Sequence, residues 1–145
     1  MSKKRSKARE FAIQAIYQWQ VSGNEIQEII EQFFQEKNLK SFEIEYFQDL
    51  LRGVIINLDE LDASLASFID RDIELVDLVE RAILRMAAYE LIHHPEIPYR
   101  VVINEAVELA KLFGADQGHK YVNGFVDKLA QKKRPVEVNA RRKTS

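Results

Sequence analysis

The sequence predicts an all-α protein of about seven helices. Three observations carry that expectation. Apolar residues recur at spacings of three and four through most of the chain, the signature of a helix with one buried face. The breaks between these stripes are short and rich in Gly, Pro, Asn, Asp and Ser, as in helical bundles. The 145 residues, 46% hydrophobic and 30% charged, suit a soluble globular domain with a sizeable core. A single domain is expected over residues 1–134, with a basic, flexible tail over 135–145.

The first helix spans Ser6 to Val21. Ala8, Ala12, Ala15, Ile16 and Trp19 fall on one face, and the three alanines there invite close approach of a neighbouring helix. Lys3, Lys7, Glu10, Gln14 and Gln18 form the opposite stripe, so the basic start runs straight into a helix. Gly23 ends it. Asn24, with Gln27 three residues on, reads as a capping box opening a second helix, whose buried face is Ile26, Ile29, Ile30, Phe33 and Phe34.

A loop at Asn38–Ser41 follows, with Ser41 capping a third helix built on Phe47, Leu50, Leu51, Val54 and Leu58. Gly53 in its middle allows close packing. Asn57-Leu58-Asp59-Glu60 reads as another capping box, so a break is expected there. Leu61, Leu65, Phe68 and Ile69 carry a fourth helix. Asp70-Arg71-Asp72-Ile73-Glu74-Leu75 reads as a loop. Its alternating acids resemble a calcium loop, but it lacks the central glycine and the twelfth-position glutamate.

A fifth helix runs from Asp77 to about His93, burying Val79, Ala82, Ile83 and Met86. Pro95 and Pro98 bracket a stiff connection. The sixth starts near Arg100, buries Val102, Ala106, Leu109, Ala110 and Phe113, and stops at Gly114. Asp116 caps a seventh helix with the stripe Tyr121, Val122, Phe125, Val126 and Leu129. Pro135 bars a simple continuation.

Within this seventh pattern Asn123-Gly124 is anomalous. Glycine costs about 1 kcal/mol against alanine in a helix interior. The expectation is that Gly124 admits a neighbouring helix and that Asn123 satisfies buried groups near Asn104.

Several function classes are excluded. No cysteine is present, which removes disulfides, thiolate metal sites and cysteine nucleophiles and fits a reducing compartment. His93 and His94 are adjacent and point apart on a helix, and His119 is the only other histidine, so no metal site is expected. No P-loop, dinucleotide fingerprint, zinc-protease or serine-hydrolase motif occurs. Glu90, close to an apolar stripe, has no catalytic companion and reads as a structural ion pair or hydrogen bond. No apolar run approaches the roughly 18 residues of a membrane span. Glu10, Gln14 and Gln18 interrupt any signal-peptide core. No catalysis and no cofactor are expected, and a binding module fits better.

Charge supplies the remaining clue. The formal net charge of −2 conceals strong segregation. Lys3, Lys4, Arg5, Lys7 and Arg9 give +5 over residues 1–9, and the segment 132–145 also carries +5, against −12 over 10–131. Such a chain suits a polyanion at its basic start and a basic partner elsewhere. Tyr17, on the wetter side of the first helix, could stack on a base or could pack sideways as a rim residue.

Four stretches now point one way: Arg5-Ser6-Lys7-Ala8-Arg9-Glu10-Phe11-Ala12-Ile13-Gln14-Ala15-Ile16-Tyr17; Tyr46-Phe47-Gln48-Asp49-Leu50-Leu51-Arg52-Gly53-Val54; Val79-Glu80-Arg81-Ala82-Ile83-Leu84-Arg85-Met86-Ala87-Ala88-Tyr89-Glu90-Leu91; and the run from Val101 through Tyr121-Val122-Asn123-Gly124. In that order they resemble the NusB family of bacterial transcription antitermination factors, over nearly the whole chain.

The resemblance implies two antiparallel helical bundles. It implies a cytoplasmic factor binding the boxA element of nascent ribosomal RNA leader transcripts together with NusE, a small-subunit ribosomal protein. It further implies assembly with NusA, NusG and RNA polymerase, and homodimers in some members. Carried over by position, Lys4, Arg5, Lys7 and Arg9 would meet phosphates, and Tyr17 and Tyr121 would stack on bases. Lys111, Phe113, Gln117, His119 and Lys120 would lie where the chain turns towards RNA beside the first helix. Glu80 would face NusE. The family's opening arginines are partly replaced here by lysines and Ser6, which keeps charge but loses bidentate geometry. Two rival readings remain: a purely protein-binding helical adaptor, and an RNA-binding module like the N-terminal domain of certain ribosomal RNA cytosine methyltransferases. The absence of a following catalytic domain weighs against the second.

Overall fold

A computed structural model describes residues 3–69, 72–114 and 118–144. Eight α-helices and one 3₁₀ turn, with no strand, make up the described residues. The chain divides into two compact units, Met1–Asn57 and Leu58–Ser145, where the sequence reading drew one domain to residue 134.

The first unit holds α1 (Lys3–Ser22), α2 (Ile26–Glu36) and α3 (Ile44–Ile56). Helix α1 packs against both others, so its buried arc is wide: Phe11 and Ile13 join Ala8, Ala12, Ala15 and Ile16 in the core. Phe11, Phe33, Phe42 and Phe47 interlock, with Phe42 edge-on to Phe11 at 5.0 Å and to Phe47 at 5.6 Å between ring centroids.

Both expected caps in this unit are absent. Glu25 and Glu43 occupy the N-cap positions of α2 and α3 and make no side-chain cap. Asn24 lies one residue too early, and the Ser41 hydroxyl donates instead to the Asn38 carbonyl. The break at Asn57 stands as expected. Its amide donates back to the Gly53 carbonyl at 2.8 Å, so it closes α3 rather than opening the next helix.

The second unit contains α4 (Leu58–Ala66), the 3₁₀ turn Ile73–Leu75, α5 (Leu78–His93), α6 (Tyr99–Phe113), α7 (Gly118–Lys133) and α8 (Pro135–Thr144). Helix α5 is its axis, and every residue from Arg81 to Leu91 is buried. Asp77 caps it, accepting from the Val79 and Glu80 amides. Helices α4, α6 and α7 pack around it.

Three buried charged side chains hold this unit together. The Arg85 guanidinium makes a two-pronged bond to Asp62 of α4, at 2.9 and 2.8 Å. Arg81 ties the 3₁₀ turn to α5 through Glu74 and the Val76 carbonyl. Arg134 donates to the carbonyls of Glu90, Leu91, His94 and Ile97. A cation there supplies donors to the carbonyls at and just beyond the end of α5 and complements the helix dipole.

That last arrangement corrects the expected flexible tail. Residues 135–144 are helical, with Pro135 in the first position, where its missing N–H costs nothing. Glu137 pairs with Arg134 at 2.7 Å and accepts from the Tyr99 amide at 2.8 Å, and Val138 is buried. The tail is anchored because Arg134, just before it, donates to carbonyls at the end of α5, and Glu137 in its first turn accepts from the Tyr99 amide at the start of α6 and pairs with Arg134.

Candidate nucleic-acid interface

The basic start of α1 splits into two sets. A helix advances 100° per residue, which places Arg5 and Arg9 over the Ala12–Ile16 side and the lysines over the other. Arg9 is 1% exposed, with its guanidinium over the Tyr46 ring at 5.4 Å. This overturns the expectation that Arg9 meets RNA phosphates, since a side chain enclosed between α1 and α3 offers no surface to a ligand. Arg5 is intermediate. Its guanidinium bonds Glu43 at 3.0 and 3.4 Å and lies 4.4 Å over Tyr46, while its side chain keeps 37% exposure.

Lys3 and Lys4 are exposed and Lys7 is half-exposed, paired with Glu10 at 2.9 Å. The Lys4 carbonyl accepts from the Glu43 amide at 3.1 Å, so the first turn of α1 is fixed to the start of α3. The lysines therefore project from an anchored helix. Tyr17 is 40% exposed, three turns further along.

The second set belongs to the other unit. Lys111 is exposed and lies 3.5 Å from Glu108; Phe113, the last residue of α6, is half-buried. Gly114 follows as the expected stop, with extended rather than left-handed backbone. Its requirement is steric, because a Cβ there would lie 2.5 Å from the Ala110 carbonyl oxygen. Gln117 and the expected cap Asp116 lie outside the described residues. His119 is half-buried and Lys120 exposed in the first turn of α7, and the Tyr121 ring lies 4.6 Å from Phe125. The turn thus gathers two lysines, a histidine and two partly open aromatic rings.

Glu80, in the first turn of α5, is half-buried. A Cβ on Gly118 would come within 2.7 Å of its carboxylate, so the glycine makes room for that group beside the first residue of α7. A carboxylate at a helix N-terminus is favourable, and this gives Glu80 a role within its own unit.

The histidines engage separate carboxylates: His93 with Glu60 at 2.6 Å, and His94 with Glu96 at 2.7 Å. Among the described residues no cluster of three metal-ligating side chains forms and no helix is long and apolar enough to cross a membrane. Glu90 is 1% exposed in the packed heart of α5, a structural setting as expected.

Sequence reasoning missed Arg134, whose signal was its position just before Pro135 at a helix end. It also missed the exposure of Asn123 and Gly124. Both are on the surface, and a Cβ on Gly124 would meet nothing within 4 Å among the described residues, so no described helix explains the glycine.

Comparison with known proteins identifies the family. The NusB family model matches residues 6–131. The chain is 53% identical over 141 residues to the transcription antitermination protein NusB of Nitrosococcus oceani, covering 97% of this chain and 95% of that one. It is 49% identical over 136 residues to the NusB of Xanthomonas oryzae pv. oryzae, covering 94% and 87%. Among solved structures, T. maritima NusB superposes with a TM-score of 0.80 at 28% identity, covering 90% of this chain and 93% of that one. A NusB chain crystallised with NusE and double-stranded RNA superposes with a TM-score of 0.81 at 25% identity, covering 91% and 99%. On a family match spanning most of its length, and on relatives about half identical to it from end to end, this chain belongs to the NusB family.

Proposed function

We propose that this chain is a non-catalytic, cytoplasmic antitermination factor. It binds the boxA element of nascent ribosomal RNA leader transcripts jointly with a NusE-type ribosomal protein. With NusA and NusG on RNA polymerase, that assembly resists termination. The observation that carries the RNA reading is the row Lys3, Lys4 and Lys7 projecting from a first turn anchored to α3. Fixed ammonium groups bind phosphate without first losing the freedom of a disordered tail. The curated relatives carry the antitermination name, and a structural neighbour holds both NusE and RNA.

Lys4, Lys7 and the open edge of Arg5 meet phosphates in this reading, and Tyr17 stacks on a base. Lys111, Phe113, His119, Lys120 and Tyr121 form a second contact region, together with Gln117. Arg9 is withdrawn. The acidic remainder of the chain suits a basic ribosomal protein and repels non-cognate nucleic acid. Glu80 contributes to that surface in addition to its place beside α7.

The test is a titration of fluorescently labelled single-stranded boxA RNA, with and without NusE, beside a scrambled strand. Weak binding alone, at least tenfold tighter binding with NusE, and preference for boxA are expected. Equal affinity for the scrambled strand with no gain from NusE would favour a protein-only adaptor and overturn the reading.

A further inference from the structure

Helices α6 and α7 pack closely and are joined only by residues 114–117, so they run antiparallel. Along their outer side lies a cleft of about 400 Å³. Arg100, Ile103 and Asn104 line it from α6, and Asn123, Gly124 and Asp127 from α7. Arg100, Asn104, Asn123 and Gly124 are exposed, and Ile103 and Asp127 are half-buried.

Folding gives no reason for this composition. Asparagine and glycine are among the poorer helix formers, yet they stand together in the interior of α7. Asn104 and Asn123 make no side-chain hydrogen bond to any described residue, and Arg100 makes no ion pair to one. Gly124 admits no neighbour among the described residues. Of the polar lining, Asp127 alone is engaged, accepting from Gln131 at 3.0 Å.

The lining matches polypeptide backbone. Each asparagine amide presents a donor and an acceptor side by side, the complement of a peptide N–H and C=O. A glycine between them lets a main chain come close where any side chain would hold it off. Arg100 and Asp127 supply one charge of each sign, and Ile103 a small apolar surface.

RNA fits less well. The charges cancel, so a phosphate chain would meet the Asp127 carboxylate. The one aromatic side chain lining the cleft, Tyr99, is 5% exposed and offers no face for stacking a base.

We infer that the α6–α7 cleft docks an extended segment of a partner protein, its main chain held by Asn104 and Asn123 against Gly124, with an acidic side chain on Arg100 and a basic one on Asp127. This site is additional to the RNA contacts proposed above and does not depend on them.

The test pans a phage-displayed linear nonapeptide library on the full chain, with counter-selection on the Asn104→Ala/Asn123→Ala variant. Selected peptides are then synthesised and titrated calorimetrically. The double variant should weaken them at least tenfold while keeping its melting temperature. Gly124→Ala should raise the melting temperature by about 3 °C, since alanine is the better helix former and meets no obstacle, yet weaken the peptide severalfold. N-methylation of a central peptide bond should weaken binding at least tenfold. Peptides indifferent to N-methylation or to the cleft variants would overturn the inference, as would failure to select any. So would a single-stranded RNA that loses tenfold in affinity on Asn104→Ala/Asn123→Ala, because the cleft would then belong to nucleic acid.

Discussion

The two ends of the chain carry the same formal charge and use it differently. At the N-terminus, Lys3, Lys4 and Lys7 face outwards while Arg9 turns into the core and Arg5 straddles its edge. At the C-terminus, Lys132, Lys133 and Arg141 are exposed, but Arg134 is buried among four backbone carbonyls. The dividing line is chemical rather than positional. Among the described residues every buried cation is an arginine: Arg9, Arg81, Arg85 and Arg134. A guanidinium is planar, weakly hydrated and rich in fixed donors, so it can be enclosed where an ammonium cannot. A basic run therefore splits by residue type, and its lysines are what remains for a polyanion.

The largest expected effect tests the C-terminal half of this contrast. Arg134→Met should destabilise the protein by about 4 kcal/mol, because it takes the guanidinium donors from the buried Leu91 and Ile97 carbonyls and removes the cation paired with Glu137. Urea denaturation measures it. A loss under 1 kcal/mol would mean that water replaces the guanidinium and that the arginine is not the clamp described. Next comes Arg9→Ala, which should cost about 2 kcal/mol through lost packing on Tyr46 and α1. The folded fraction should bind RNA with an unchanged salt slope, and a fall in slope would return Arg9 to the phosphate contacts.

The opening run also shows where sequence reading succeeds and where it stops. The all-helical class, the break at Asn57 and the bounds of α5 and α6 were legible, because each rests on local periodicity or one helix-ending residue. The placement of Arg9 was legible in principle, since Ala12, Ile13 and Ile16 lie at its i+3, i+4 and i+7 positions. It was misread because a run of like charges draws attention as a unit. The anchoring of 135–144 was not legible. It depends on Arg134 reaching carbonyls some forty residues earlier in the chain, and no local pattern records that. The open setting of Gly124 was hidden for the same reason, since a glycine in a helix announces a need without saying whether a neighbour or a ligand creates it.

A smaller effect probes the outward lysines. Lys4→Ala/Lys7→Ala should change stability by no more than about 0.5 kcal/mol, since it removes one exposed ion pair, Lys7 to Glu10. It should lower the slope of log K against log salt for boxA RNA by about 1.4, at about 0.7 per neutralised phosphate on a single strand. This pair of substitutions is cleaner than deleting residues 1–9, which would also remove Arg9 from the core. A stable variant with an unaltered slope would shift the RNA contacts away from α1.

The smallest expected effect falls on the residue between the two classes. Arg5→Lys keeps the charge but gives up the two-pronged bond to Glu43 and the flat contact over Tyr46. With a side chain 37% exposed, those contacts are screened and should contribute only about 0.5 kcal/mol to stability. If Arg5 serves RNA through charge alone, affinity and salt slope stay as they were. If it forks a phosphate, affinity falls several-fold at an unchanged slope, because the charge count is the same and only the geometry is lost. A small stability loss with unaltered binding would place Arg5 with Arg9, as an arginine that the fold has taken for itself, and would leave the lysines as the phosphate-facing part of the opening helix.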